Sequence, residues 1–414
     1  MNKLWLYRLA FVGLLTLFSV AQVYLLARGW QWVRRSSFSP RNRRWVLAGL
    51  GAFFFLVLLP YPYLVLVGIL SGRPAPQALS VWLYPYAVWC FGSFFTALFL
   101  VLRDTGRCLQ GRWKPVPPSG SGGPAFSPSR RRFLGTAFGV LATAPIVASA
   151  YGATYGREEK EVTDLTLAFP HLPPELDGLR VVHLSDLHLG PFLDAAALQE
   201  DLARVAALRP HLVVVTGDFL STAVHDLRGF REAMAAVRPP LGVYGCLGNH
   251  EYFTGDLTRV IRTLAEAGVT VLANQAVRLR IGPCRLGLAG VEDLRMGTPD
   301  LEAALREAPP FTILLSHRPE IFPAAAARGI PLILSGHYHG GQVALRLGGL
   351  SLSAAHLATP YPEGLFIQSQ SYLYVNRGLG TTGTPVRLNA PPEITRITLR
   401  RGAAPPRRRV RPVA

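Results

Sequence analysis

The sequence predicts two unlike parts: an all-α transmembrane region of about four helices, then an α/β domain. Three observations carry this. Residues 9–27, 45–70, 79–102 and 133–156 contain no Asp, Glu, Lys or Arg, and each can cross a bilayer, which takes roughly 20 residues. From about residue 162, short β-branched runs alternate with amphipathic helical stretches, as in a sheet covered by helices. Five short polar motifs then follow successive apolar runs, at the strand ends where α/β sheets place ligands.

The four apolar runs come first. Half the residues are hydrophobic and only 16% are charged, which is low for a soluble protein. Four buried core helices would need a large soluble shell around them, and the sequence has none. The fourth run is the least hydrophobic, with much Gly, Ala, Ser and Thr. Loop charges orient the spans. Residues 28–44 hold six arginines, 71–78 hold only Arg73, and 103–132 hold seven bases. The positive-inside rule makes the first and third loops cytoplasmic. The chain then reads as a multi-pass protein of the cell membrane, with the region after the fourth span on the extracytoplasmic side.

A net charge of +18 invites a nucleic-acid reading, but its distribution argues against one. Residues 1–157 carry 17 bases and one acid, and residues 158–395 carry 19 bases and 24 acids. The last 19 residues add seven arginines. The excess flanks the apolar runs and fills the tail, as basic membrane flanks do. No nucleic-acid partner is expected.

Within the third loop, residues 115–129 are rich in Pro, Gly and Ser and read as a flexible linker. Ser129-Arg130-Arg131-Arg132-Phe133-Leu134 follows. It resembles a twin-arginine export signal and reads equally as a basic flank on an ordinary helix. The expected domains are 1–157 with linker 103–132, then 158–401, then a basic tail 402–414. Four cysteines form no C-x-x-C pair. Cys246 and Cys284, at ends of apolar strands, read as packed thiols.

In the second part, residues 179–184, 212–216, 242–247, 286–289, 312–315 and 332–334 read as strands. Residues 195–208, 227–237 and 257–267 read as helices. Past the strand ends stand Asp186-Leu187-His188, Gly217-Asp218, Gly248-Asn249-His250-Glu251, Ser316-His317 and Gly336-His337-Tyr338-His339. Carboxylate, imidazole and amide oxygen all suit a borderline divalent metal such as Mn²⁺, Fe or Zn²⁺. The set suffices for two ions with one histidine left over, and a two-metal site is a device for phosphoester hydrolysis. Asp186 and His188 are two apart, so in extended backbone their side chains leave on the same side. Glu251 reads either as an orienting group for its loop or as a solvated acid. His171, His183, His211, His225 and His356 lack such context and read as structural.

The series D-x-H, G-D, G-N-H-E, H, G-H-x-H resembles the signature of the calcineurin-like metallophosphoesterases. SGHYHGGQ (335–342), YVNRGLGTTGTPVR (374–387) and PPEIT (391–395) are similar to its membrane-associated phosphodiesterase branch. The resemblance covers about residues 160–401. It implies a sandwich of two central mixed sheets flanked by helices. It implies that Asp186, His188, Asp218 and His339 bind one metal, and Asp218, Asn249, His317 and His337 the other. His250 would then be the catalytic residue that protonates the leaving oxygen. Two departures stand out: Ser221 replaces the last acid of G-D-x-x-D, and Tyr338 stands where Thr is usual. The 378–383 stretch (GLGTTG) precedes no helical pattern, so it is not a nucleotide fingerprint.

The reading is a membrane-anchored two-metal phosphoesterase acting on phosphodiester or pyrophosphate-type bonds, with lipid-linked or cell-envelope substrates. The alternative is a transporter or sensor with an accessory metal-binding domain. Uncharged spans count against an ion or proton pathway.

Overall fold

The computed structural model describes residues 3–59, 77–113, 128–347 and 350–403. The chain divides into two units, at about residue 153. In the first, the helices are α1 (Lys3–Arg35), α2 (Pro40–Leu58), α3 (Gln77–Trp113) and α4 (Pro128–Tyr151). Three stretches among the described residues are long and apolar enough to cross a membrane: Val12–Arg35, Pro85–Gln110 and Thr136–Gly156. They answer to the first, third and fourth apolar runs. The second run is helical to Leu58, and its residues 60–70 lie outside the described residues. Four spans is therefore an approximate count. Linker residues 114–127 and tail residues 404–414 also lie outside. Asp104, the one acid before residue 158, pairs with Arg28 at 2.7 Å. Gln22 donates to Ser93 at 2.8 Å, satisfying a buried amide between apolar helices.

The second unit is built on two six-stranded sheets. The strands are β1 (Glu161–Phe169), β2 (Arg180–Leu184), β3 (Leu212–Thr216), β4 (Val243–Cys246), β5 (Val269–Val271), β6 (Gln275–Ile281) and β7 (Cys284–Gly290). There follow β8 (Thr312–Leu315), β9 (Leu332–Ser335), β10 (Ala344–Leu347), β11 (Leu350–Ser353), β12 (Gly364–Gln368), β13 (Ser371–Val375) and β14 (Glu393–Arg401). The first sheet runs β1-β14-β2-β3-β4-β5 and the second β12-β13-β9-β8-β7-β6. Each mixes parallel and antiparallel pairs: β2, β3, β4 and β5 are parallel neighbours, while β14 is antiparallel to β2. The strands β10 and β11 form a separate hairpin.

Alternation explains the layers. Val181, Leu212, Val214, Ile313, Leu332 and Leu334 point between the sheets into a shared core. Val182, Leu184, Val213 and Val215 point the other way, as a two-residue period requires. There they meet α5 (Ala195–Ala207), which brings Leu198, Leu202 and Val205 onto one face. The outer face of the second sheet is covered in the same way, by Ala304, Phe322 and Ala325 against Leu314 and Ile333. Strands buried on both faces read as continuous apolar runs, which is why β3 and β8 fall at the expected residues. Residues 227–237 do not form one helix. A 3₁₀ turn (Val224–Leu227) is followed by a short helix, Phe230–Met234. Gly229, at φ 79°, stands between them and breaks the run.

All four cysteines are free thiols. Cys246 is fully buried between the sheets and Cys284 packs at the margin of the same core.

Candidate metal centre

The five motifs leave the C-terminal ends of β2, β3, β4, β8 and β9. These strands are parallel within each sheet, so their ends share one edge of the sandwich. The turns there are unusual. Asp186 (φ 51°), His188 (φ 47°), Asp218 (φ 53°), His337 (φ 76°) and His339 (φ 52°) all take left-handed backbone. For a residue with a Cβ this costs of order 1–3 kcal/mol, and such residues cluster at functional sites. The expectation of extended backbone at Asp186 and His188 is corrected here. Their side chains converge because each residue turns, not because a strand alternates. The turns are pinned across the sheet: the Asp186 N–H donates to Gly217 O and the His188 N–H to Asp218 O, both at 3.0 Å.

Three overlapping groups bring candidate ligand atoms within 4.8 Å of one another: Asp186, His188 and His339; His188, Asp218 and His250; Asp218, His317 and His337. The Nε2 of His339 lies 3.2 Å from Asp186 Oδ1 and 3.1 Å from His188 Nε2. On the other side, His317 Nε2 lies 3.3 Å from Asn249 Oδ1 and 3.0 Å from His337 Nδ1. Its Nδ1 donates to Thr216 O at 2.8 Å, which leaves Nε2 free to coordinate. All seven expected ligands and His250 are thus brought together. His250 also belongs to one of these groups, and it resembles the ligands in part: like His317 it spends Nδ1 on a backbone carbonyl, and like His337 it is partly exposed. Its Nδ1 donates to the Ser221 carbonyl, and its side chain is 17% exposed where His188 and His317 are at 1% and 0%.

The electrostatics suit a cation. Burial would raise Asp218, yet His317 and His250 hold it well below the carboxylate range. Asp186 is likewise lowered, against burial, by His339. Burial and the neighbouring His250 keep His188 neutral, and burial with His317 and Arg318 keeps His337 neutral. Burial would depress His317 also, but Asp218 lifts it to about 10. Ionised carboxylates, the neutral imidazoles of His188 and His337 and an amide oxygen are donors that divalent metals take, and a cation bound there would displace the proton that Asp218 otherwise holds on His317.

Three neighbours support the candidate ligands, and of these only Glu251 belongs to a motif. Glu251 is fully buried and accepts three backbone N–H groups: Gly248 at 2.7 Å, Asp218 at 3.0 Å and Phe219 at 2.7 Å. It is the orienting group, not a solvated acid. Arg318 is buried, donates to Asn249 Oδ1 at 3.2 Å, reaches His337 and is anchored by Asp293 at 2.8 Å. Its only sequence signal is its place after His317. Buried Arg387 donates to Gly378 O at 3.0 Å and faces His339 Nδ1 at 3.2 Å. It fastens the 378–383 loop against the site. Gly378 (φ 75°) is required there, since a Cβ would lie 2.8 Å from the Asp186 side chain.

The two departures find places. Ser221 donates to His188 O at 2.9 Å and so holds the His188 turn without a carboxylate. Tyr338 packs edge-on against His337 and donates to Glu320. The remaining histidines stay outside the centre. His211 accepts the Arg180 N–H at 3.0 Å, His225 sits beside Asp226, His356 beside Ser353, and His171 is exposed. His183 is buried between the sheets against Thr216 and Tyr374.

A two-sheet α/β sandwich with such a cluster at one strand edge, in a chain whose first part is apolar helices, defines a membrane-associated metallophosphoesterase. Residues 179–341 match the family described as Calcineurin-like phosphoesterase. Residues 6–157 match "Probable Calcineurin-like phosphoesterase, transmembrane domain". The chain is 32% identical over 364 residues to a "Transmembrane protein with metallophosphoesterase domain" of Danio rerio, covering 84% of this chain and 79% of that protein. It is 33% identical over 285 residues to the "Uncharacterized metallophosphoesterase YkuE" of Bacillus subtilis, covering 66% of this chain and 98% of that one. The chain belongs to the calcineurin-like metallophosphoesterase family, as a membrane protein and a metal-dependent hydrolase.

Proposed function

We propose that this chain is a two-metal phosphoesterase whose catalytic domain, residues 158–401, works on the extracytoplasmic face of the membrane. Its bonds are of the phosphodiester or pyrophosphate type, and its substrates are lipid-linked or cell-envelope molecules. The observation that carries the reading is the place of Asp218. Its Oδ2 lies 3.6 Å from His188 Nε2 and 3.3 Å from His317 Nε2, so one carboxylate borders both ligand sets. Asp186, His188, Asp218 and His339 would hold one divalent ion, and Asp218, Asn249, His317 and His337 the other. Bound there, two ions of Mn²⁺, Fe or Zn²⁺ would polarise the phosphoryl group and offset its charge.

The chain's own residues do the rest. Glu251 fixes the Asp218 turn through its backbone N–H. The Nδ1–H of His250 donates to the Ser221 carbonyl, so Nε2 is the atom that faces the site, 3.9 Å from Asp218 Oδ2. As the imidazolium, with a second proton on Nε2, His250 would give that proton to the leaving oxygen and keep the Nδ1 proton, ending as the neutral ring. The preference for diesters follows from the family branch, since the ligand set serves monoesters equally. The test uses the purified full-length protein, stripped of metal and reloaded with each cation. Hydrolysis of diesters or pyrophosphates above monoesters supports the reading. Monoester activity alone removes the diester assignment, and two bound ions with no hydrolysis removes the enzyme.

A further inference from the structure

We infer that the β10–β11 hairpin and the helical turn after it form a second membrane contact, inserting leucines into the apolar layer of the bilayer that the chain's own helices span. Beyond residue 160, only four large apolar side chains among the described residues are exposed: Val162, Leu345, Leu352 and Leu357. Three of the four come from one short segment. Leu345 and Leu352 stand directly opposite each other in the hairpin register and so share one face. They are 55% and 49% exposed, and Leu357, on the helical turn Ala355–Ala358, is 94% exposed. The other face of the hairpin is turned inward: Ala344 is buried and Arg346 pairs with Glu363 at 3.2 Å. A two-stranded ribbon with leucines outward and a satisfied charge inward has the polarity of a membrane-dipping element, not of a solvated loop.

The hairpin's root says what covers this face. The Ala344 N–H donates to Leu388 O at 2.9 Å, and Asn389 donates back to Ala344 O at 2.9 Å. Leu388 follows Arg387, whose carbonyl lies against Gly156 so closely that a Cβ on this glycine would overlap it. Gly156 is the last residue of the candidate span Thr136–Gly156. The hairpin therefore springs from the point where the chain leaves that span. Val162, the fourth exposed apolar residue, follows six positions later. Of the possible occupants, lipid is the one that the candidate span ending at Gly156 would itself bring to this place. The contact is apolar, so it neither needs nor recognises a charged headgroup. It bears on the metal centre through Gln342, which joins His339 to β10 and donates to Thr382 O at 2.9 Å.

The test reads no hydrolysis and so stands apart from the proposed reaction. In full-length protein carrying Cys108→Ser and Cys284→Ser, a nitroxide is placed at Leu345→Cys, Leu352→Cys or Leu357→Cys and the protein is reconstituted in phosphatidylcholine vesicles. Arg280→Cys, at an exposed site on β6, is the control. Molecular oxygen should relax the three labels more strongly than a water-soluble nickel chelate, with the reverse order at residue 280. Chelate access dominating at the opposed pair overturns the inference. So does loss of access to both reagents with spin–spin broadening, which marks a second copy of the chain on this face. If a labelled chain fails to reconstitute, hydrogen exchange decides. Amides 350–357 of the unmodified protein should be more protected in vesicles than those of the triple Leu345→Ser, Leu352→Ser, Leu357→Ser variant. Equal exchange counts against the contact.

Discussion

The carboxylate of Glu251 accepts the backbone N–H of Asp218 at 3.0 Å, so a buried acid on one strand end holds the turn that carries a candidate ligand on another. The same carboxylate takes the N–H groups of Gly248 and Phe219. Glu251→Ala leaves three buried donors unpaired, each worth about 1–3 kcal/mol. The expected result is a loss of thermal stability and a fall in metal affinity of about 10–100-fold. Melting and metal titration on the same preparation check this; wild-type values for both would remove the positioning role.

Asp218 borders both ligand sets, so Asp218→Asn should cost more metal than loss of any ligand of one ion. Elemental analysis of the purified variant is the check. Two ions per chain in Asp218→Asn would end the bridging assignment.

His250 is assigned to the leaving group. His250→Gln should keep its metals while kcat falls, general acid catalysis being worth typically 10²–10⁴-fold. Alkyl diesters, whose leaving oxygen needs a proton, should lose most, and nitrophenyl esters least. An equal loss on both, or a lost ion, would show that the ring serves another purpose.

His183, which is not among the assigned ligands, gives a pH dependence of its own. Burial lowers its pKa to about 4. A group depressed in the folded state is neutral there while the unfolded chain still takes up a proton. Its contribution is present above about pH 6.5 and is lost as pH falls toward 4, up to about 3 kcal/mol. His183→Gln should flatten the pH dependence of the melting temperature between pH 4 and 6.5. An unchanged slope would show that other groups set the acid limit.

Topology is tested by fusion. A reporter active only after export, joined beyond residue 403, should be active, and a cytoplasmic reporter silent. Arg130→Lys with Arg131→Lys keeps the positive flank. It should block export only if the twin-arginine reading is correct.

The strand framework was legible because its signal is local. Residues 212–216 and 312–315 are unbroken apolar runs bounded by polar turns, and they are β3 and β8. The site was legible because its motifs follow those runs. The left-handed backbone of Asp186, His188, Asp218, His337 and His339 was not. Nothing in a carboxylate or imidazole announces a positive φ, which tertiary hydrogen bonds impose on the residue. Glu251 was ambiguous for a similar reason. The same residue serves as a solvated acid or as an anchor for three N–H groups, and only the arrival of the Asp218 turn decides between them. Arg318 and Arg387 lie in no metal-ligand pattern, and their partners come from distant segments. Hairpin β10–β11 escaped because its four-residue strands mix polar and apolar residues, too short a stretch to display a period, whereas the equally short β8 is almost wholly apolar.

The place of β14 in the first sheet sets an order of events in time. It is the last described strand, yet it lies between β1 and β2. While a ribosome is still reading the codons before Glu393, β2 has an open edge, and β1 has no neighbour in its sheet. The Asp186 turn waits for an earlier point, the making of residues 379 and 380, since Gly380 N–H donates to Asp186 O at 2.8 Å and Leu379 N–H to Ser185 O at 3.0 Å. Pairings this distant along the chain form slowly, and open strand edges invite aggregation meanwhile. The first sheet therefore closes only after nearly all of the sandwich has been translated. A nascent chain stalled before residue 393 would carry that open edge, and be a target for chaperones or proteases.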